Sequence, residues 1–262
     1  MKRLLVVAGL LAAALVAVAF VVSHRGRRVS PAGTELSKAA AGGDAAAVKA
    51  LLAGGAEVDA RDNGYTPLMF AARAGSVEAI NALIDAKADP NLRDCAAADG
   101  WTPLIHALHK RQNEAARALV ERGADVNARE GGCRERMVEG GQTPLMYAAA
   151  NDNAEMVKFL LERGANPRDD SRNENALTHA LSGAALGKLS DIDRAGGENP
   201  CPVETVKALL AKAPDLKVND GALDLATAYL LKRKCPELAG LLEGERAAPP
   251  GGPASPPPGA RN

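Results

Sequence analysis

Apolar residues are distributed along this chain in two distinct ways. Leu4 to Val22 is an unbroken run of 19 residues without a charge or a strongly polar group. At about 1.5 Å per helical residue, such a run spans the hydrocarbon core of a bilayer. From Thr34 onward, short apolar clusters alternate with polar ones at helical spacing and come in pairs. The second member of each pair closes on large aliphatic residues, as at Leu51-Leu52, Leu83-Ile84, Leu119-Val120 and Leu160-Leu161. The pattern predicts an all-α protein in which a single N-terminal transmembrane helix precedes a series of helix pairs. Three segments follow: residues 1–32 as a membrane anchor or signal segment, 33–245 as the helix-pair domain, and 246–262 as a disordered tail too rich in Pro and Gly to pack.

The helix pairs are internal repeats. Gly64-Tyr65-Thr66-Pro67-Leu68-Met69-Phe70-Ala71-Ala72 returns as Gly100-Trp101-Thr102-Pro103-Leu104-Ile105-His106-Ala107-Leu108 and as Gly141-Gln142-Thr143-Pro144-Leu145-Met146-Tyr147-Ala148-Ala149. After the second cluster come Ala88-Asp89-Pro90-Asn91, Gly123-Ala124-Asp125-Val126-Asn127 and Gly164-Ala165-Asn166-Pro167. This combination resembles the ankyrin repeat, and the resemblance implies a solenoid of about five to six helix-pair repeats stabilised by stacking neighbours. It is strong over 64–170 and looser elsewhere. Thr34 to Asp59 reads as a first repeat that has lost its Pro. Asn175-Ala176-Leu177-Thr178-His179-Ala180 opens a fifth, whose second helix, Val203 to Leu210, is delayed by an insertion spanning Ser182 to Pro202. Gly221 to Glu243 reads as a degenerate sixth pair.

The pieces make physical sense without the family. Thr66 can cap a helix with its hydroxyl, and Pro67 at the first helical position has no hydrogen bond to lose. Ala71, Ala72, Ala107, Ala148 and Ala149 are small enough to let first helices approach one another. Gly123 and Gly164 can supply the positive φ that stops the second helix. Where the family usually carries His after Thr-Pro-Leu, this chain has Met69, Ile105 and Met146, so apolar packing is expected to replace the polar network of that His.

Composition sharpens the picture. The chain has 54 Ala among 262 residues and only 3% aromatics, which argues against sheets built from β-branched and aromatic faces. Lysines and arginines number 32 and so do the carboxylates. Five of the basic residues, Lys2, Arg3, Arg25, Arg27 and Arg28, flank the apolar run, leaving the body mildly acidic. A nucleic-acid-binding domain normally shows the opposite bias. Ala17-Val18-Ala19 fits a signal-cleavage pattern, but the apolar run continues to Val22 and an Arg cluster follows. An uncleaved anchor is therefore the favoured reading, and secretion to the periplasm after cleavage the alternative.

The basic residues on the two sides of the run roughly balance, so they do not orient it. The cysteines do. Cys95 and Cys133 lie in adjacent lengthened loops, and Cys201 and Cys235 each precede a Pro near the second-helix starts of the last two repeats. Neighbouring loops bring such pairs within disulfide range, which predicts two bridges and an oxidising compartment. Four unpaired thiols in an intracellular protein are the alternative. With bridges, the repeats face the periplasm from an inner-membrane anchor, in what composition suggests is a bacterial protein.

No constellation of catalytic residues is apparent. His106 and His109, three apart, read as an exposed helical pair without a third metal ligand. Asp59, Asp62, Asp89, Asp94 and Asp125 read as turn and cap residues. No cofactor, nucleic acid or small-molecule substrate is expected. Resemblance to the family implies binding of a protein through the inner face made by loop tips and first helices. In this register that face comprises Tyr65, Phe70, Arg73, Trp101, His106, His109, Lys110, Gln142, Tyr147 and Asn151. It holds four of the six aromatics outside the N-terminal run, a composition typical of interaction hot spots. Two competing readings stay open: a membrane-anchored adaptor facing the cytoplasm, and a metal-binding protein or enzyme using His106, His109 and the 182–202 insertion.

Overall fold

The computed structural model of the protein describes residues 31–95, 100–131, 141–171, 174–182, 201–218 and 235–244. The N-terminal run Leu4 to Val22 and the tail lie outside them. Among the described residues, no helix is long and apolar enough to cross a membrane. Four consecutive helix pairs are α1 (Pro31–Ala41) with α2 (Ala45–Ala53), α3 (Pro67–Ala74) with α4 (Val77–Asp85), α5 (Pro103–His109) with α6 (Asn113–Glu121), and α7 (Pro144–Ala150) with α8 (Ala154–Glu162). A fifth pair joins α9 (Ala176–Ser182) to α10 (Val203–Lys212), and α11 (Pro236–Gly244) follows. Two short antiparallel strands, β1 (Asp170–Ser171) and β2 (Glu174–Asn175), precede α9. The first helices α1, α3, α5, α7 and α9 pack in succession as one row. Behind them α2, α4 and α6 form a second row, which α8, α10 and α11 continue.

Each helix begins and ends where local chemistry dictates. Pro67, Pro103 and Pro144 occupy the first turn of α3, α5 and α7. The hydroxyls of Thr102 and Thr143 accept from the amides of Ile105 and Met146, both at 3.4 Å. Thr66 Oγ1 makes no such bond. Instead the Met69 sulfur accepts from the Thr66 amide at 3.3 Å, and the Met146 sulfur from that of Thr143 at 3.5 Å. These two methionines therefore take over part of the polar duty that apolar packing alone was expected to replace. Thioether sulfur is a weak acceptor, but an orphan amide at a buried helix start has little else to bond. The helix of the first repeat starts at Pro31, three residues ahead of Thr34. Gly123 and Gly164 follow their helices with φ of 96° and 91°. Lys87 takes the same left-handed turn at 75° without glycine's freedom.

Packing follows the alanine pattern. Ala71, Ala72, Ala107, Ala148 and Ala149 are all buried, with Leu68, Leu104, Leu145 and Leu177 beside them in the first-helix row. Ile80, Leu83, Leu119 and Leu160 fill the space between the rows. Each such aliphatic side chain contributes about 1.5–3 kcal/mol on burial, and no repeat can achieve that burial alone. At the C-terminal end, Cys201 and Cys235 are bridged with Cα atoms 5.8 Å apart, tying the start of α10 to the start of α11. Cys95 is disulfide-bonded too. Cys133, its expected partner, lies outside the described residues, as do most of the 182–202 insertion and the first helix expected for the sixth pair.

A candidate partner-binding face

The loops between repeats fold as fingers, each closed by backbone pairing across its base. Asp62 and Tyr65 exchange amide-to-carbonyl bonds of 2.9 and 3.0 Å. In the next fingers Asp94 donates to Trp101 at 2.9 Å and Glu130 to Gln142 at 3.0 Å. An acidic residue thus stands on the rising side of each finger, with Tyr65, Trp101 or Gln142 opposite. An arginine immediately before each acid ties its finger to the next. Arg61 donates to the carbonyls of Gly64 and Arg93, both at 2.8 Å, Arg93 to Gly131 at 3.3 Å, and Arg129 to Asp170.

A second ladder runs along the turns at the ends of α4, α6 and α8. Asn91 accepts from the Asp125 amide at 2.8 Å and donates to the Gly123 carbonyl at 3.2 Å. Asn127 repeats this toward Asn166 at 2.9 Å and Gly164 at 3.1 Å. Asp89 and Asp125 each cap the amide two residues on at 2.8 Å, as turn chemistry predicts. Asp59 holds the ladder position in the first repeat and offers only an acceptor, to the Asp89 amide at 3.3 Å. Burial pushes the Asp59 carboxyl above its ordinary value, against the pull of that amide.

On this scaffold the rings from Phe70 to Tyr147 form a continuous column. Four residues after each helix-opening Thr or Asn stand Phe70, His106, Tyr147 and His179, and the finger aromatics fill the gaps between the first three. Tyr65 lies 5.7 Å from Phe70 and 5.5 Å from His106; Trp101 lies 5.2 Å from His106, 4.8 Å from His109 and 5.5 Å from Tyr147. Centroid separations of this size, with tilted or edge-on planes, are the favourable range for aromatic pairs. Three acids lock the column from the fingers. Asp94 meets His106 Nε2 at 2.8 Å. Glu130 Oε2 accepts from both Tyr147 Oη at 2.7 Å and Trp101 Nε1 at 3.1 Å. Glu174 lies 3.5 Å from His179, whose pKa burial lowers while Glu174 and Glu130 pull it back up.

Two sequence expectations are corrected here. His106 is not an exposed helical histidine: it is 1% exposed, and Asp94, expected in turn chemistry, is 2% exposed beneath the same finger. With Tyr65 and Trp101 closed over it, His106 cannot touch a partner and instead supports the residues that can. Asn151 is half-buried at the end of α7 and donates to the Leu108 carbonyl at 3.1 Å, tying α7 to α5.

The other residues assigned to the face do gather. Tyr65, Phe70, Arg73, Trp101, Gln142 and Tyr147 are half-buried, and His109 and Lys110 are exposed. Arg73 holds its guanidinium 5.7 Å from the Tyr65 ring centre. The His109 pKa is lowered by burial first, then by the positive charges of Lys110, Arg73 and His106, so these groups share one electrostatic neighbourhood. Among the described residues, no three His, Cys, Asp or Glu side chains gather as a metal site.

Glu130, the three finger arginines and the pairing of Asp94 with His106 escaped the sequence reading. A signal for them exists: Asp59-Ala60-Arg61-Asp62, Asn91-Leu92-Arg93-Asp94 and Asn127-Ala128-Arg129-Glu130 share one pattern. Comparison with known families matches the ankyrin repeats model, in three copies, over residues 36–130 and 131–191, more than half of the chain. No curated protein matches the chain.

Proposed function

The chain belongs to the ankyrin-repeat family, and from that premise we propose that it is a non-enzymatic scaffold holding a protein partner against its ring-lined face in the bacterial envelope. Ankyrin repeats are protein-interaction modules in general; the particular face is supported by one observation. Tyr65 and Trp101 meet edge-on at the buried His106 ring and Trp101 meets Tyr147, a row across three repeats in which Trp101 and Tyr147 are fixed on the same Glu130 oxygen. Aromatic side chains held in one geometry lose little entropy on binding, which is the property of an interaction anchor.

Location belongs to the same proposal. Leu4 to Val22 anchors the chain in the inner membrane and the repeats stand in the periplasm; the bridge between Cys201 and Cys235 and the bonded state of Cys95 support an oxidising compartment. A cytoplasm-facing adaptor is the competing reading, and alkylation of intact cells separates the two. Cysteines that react with maleimide in the cytoplasm without reductant defeat the periplasmic placement.

Binding is tested by photo-crosslinking in the full-length protein. A photoreactive residue at His109 or Lys110 is expected to give a discrete adduct, whereas one at Glu114 or Lys158, exposed on α6 and α8, gives none. Adducts only from the second-helix positions overturn the face.

A further inference from the structure

Several charges of this solenoid are paired between neighbouring repeats. Arg117 meets Glu155 at 2.6 Å, Arg163 meets Glu121 at 3.4 Å and Lys207 meets Glu237 at 2.8 Å, while Arg122 pairs with Asp85 and Arg168 with Asp215. Arg73, His109 and Lys110 have no such pair, as is also true of Lys49, Lys87, Arg111, Lys212 and Lys217, but they stand beside the ring column, with Arg73 5.7 Å from the Tyr65 ring centre and His109 4.8 Å from that of Trp101. They cluster at the C-terminal ends of α3 and α5, and among the described residues no carboxylate lies within ion-pair distance of any of them.

Complementing the helix dipole is one role for cations at such ends. It does not account for this cluster. The last carbonyls of α5 are already bonded: His106 by the Lys110 amide, Ala107 by Gln112 and Leu108 by both Arg111 and the Asn151 side chain. In α7, the corresponding helix of the next repeat, the same place carries Ala150 and Asn151 with no cation. The nearest acids of the face are spoken for, with Asp94 buried on His106 and Glu130 bonded to Trp101 and Tyr147. Arg73 and Lys110 hold their charges near the His109 ring without a counterion, which costs free energy, and an anionic ligand relieves that cost.

We propose that the partner presents an acidic segment, whose carboxylates pair with Arg73 and Lys110 and accept from the His109 ring while an apolar side chain beside them rests on Trp101. This inference rests on the ring-lined face being the binding surface and adds the chemistry of what it binds. An acidic peptide is favoured over an anionic membrane or nucleic acid because the cluster is three residues wide beside aromatic rings, on a body whose overall charge is negative.

Trp101 is the only tryptophan in the chain, so its fluorescence reports directly on this spot. The test titrates the full-length protein in detergent with a dodecapeptide of repeated Glu-Glu-Leu, and with its Gln-Gln-Leu and Lys-Lys-Leu counterparts. The Glu peptide is expected to shift Trp101 emission and to weaken with salt, and the other two to bind more weakly or not at all. In an Arg73→Gln, Lys110→Gln variant the Glu peptide should lose about fivefold to tenfold in affinity, the sum of two partly exposed ion pairs. Independently of any variant, iodide should quench Trp101 more than caesium at low ionic strength.

Equal binding of the Glu and Gln peptides, no binding by any of them, tighter binding of an oligonucleotide or an anionic vesicle, or an unchanged affinity in the variant overturns the proposal. Crosslinking from Lys110 to a partner lacking acidic segments overturns it while leaving the face itself intact.

Discussion

Asp59 and Asn127 hold equivalent places in the turn ladder, and exchanging their chemistry gives opposite effects. Asn127 uses both ends of its amide, accepting from the Asn166 amide and donating to the Gly164 carbonyl. Asp59 accepts once, and its other oxygen is buried with no partner. By register, the Lys87 carbonyl stands to Asp59 as the Gly123 carbonyl stands to Asn91. Asp59→Asn therefore supplies a missing donor and removes a half-buried charge, which should stabilise by about 0.5–1.5 kcal/mol. Asn127→Asp does the reverse: it deletes one bond and sets two acceptors against each other, at a cost of about 1–3 kcal/mol. In a domain of this size each kcal/mol moves the midpoint by about 2–4 °C. Thermal and urea unfolding followed by far-UV circular dichroism and Trp101 emission will show whether the two signals coincide, as a repeat array does not guarantee that they do.

The pH dependence adds a sign that can be checked. Because the folded-state pKa of Asp59 is raised, its favourable contribution is present below the ordinary carboxylate value and is lost as pH rises through the folded value. The gain from Asp59→Asn should thus be largest near neutral pH and shrink as the solution is acidified. If the two substitutions shift stability in the same direction, the ladder argument is wrong.

Other expectations follow from single contacts. Asp94→Ala leaves His106 buried without its partner and should cost about 3–5 kcal/mol, whereas Asp94→Asn, which keeps an acceptor, costs less; chemical denaturation of the two variants distinguishes them. Cys201→Ser should lower stability by about 3–4 kcal/mol, since the bridge closes a loop between residues 34 apart, and limited proteolysis should then release fragments from the C-terminal end first. Gly141→Ala places a Cβ 1.9 Å from the Glu130 carbonyl, a backbone clash that must open the finger; a red-shifted Trp101 emission in the folded variant is the expected signature.

Helix pairs were legible in the sequence because their signals are local. Thr-Pro starts, alanine stripes and Gly stops act within a few residues, and a motif that returns three times reinforces each of them. The disulfide between Cys201 and Cys235 was legible as well, from two cysteines placed alike beside prolines in neighbouring repeats. The interior of the fingers was not. Asp94 precedes His106 by 12 residues and Glu130 precedes Tyr147 by 17, across loops of different length, so no fixed spacing announces either pair. His106 read as exposed because it shares a helix face with His109, three residues on. What buries it is a finger folded back over the helix, a property of the loop's path and not of the helix's own period.

This arrangement separates two functions that overlap on most binding surfaces. Tyr65, Trp101, Tyr147 and Glu130 hold the fingers against the first helices, so changing any of them disturbs the scaffold together with whatever it binds. Arg73, His109 and Lys110 stand on that scaffold and bond to none of its carboxylates among the described residues. Substitution of Lys110, which is exposed and has no ring contact, should leave the unfolding transition in place, whereas Arg73 and His109 also touch Tyr65 and Trp101 and should move it slightly. Change of partner in such a solenoid can then proceed through the cationic positions while the ring column stays as it is. On the proposed binding face, the column supplies rigidity and the charges beside it are the part we propose to set the preference.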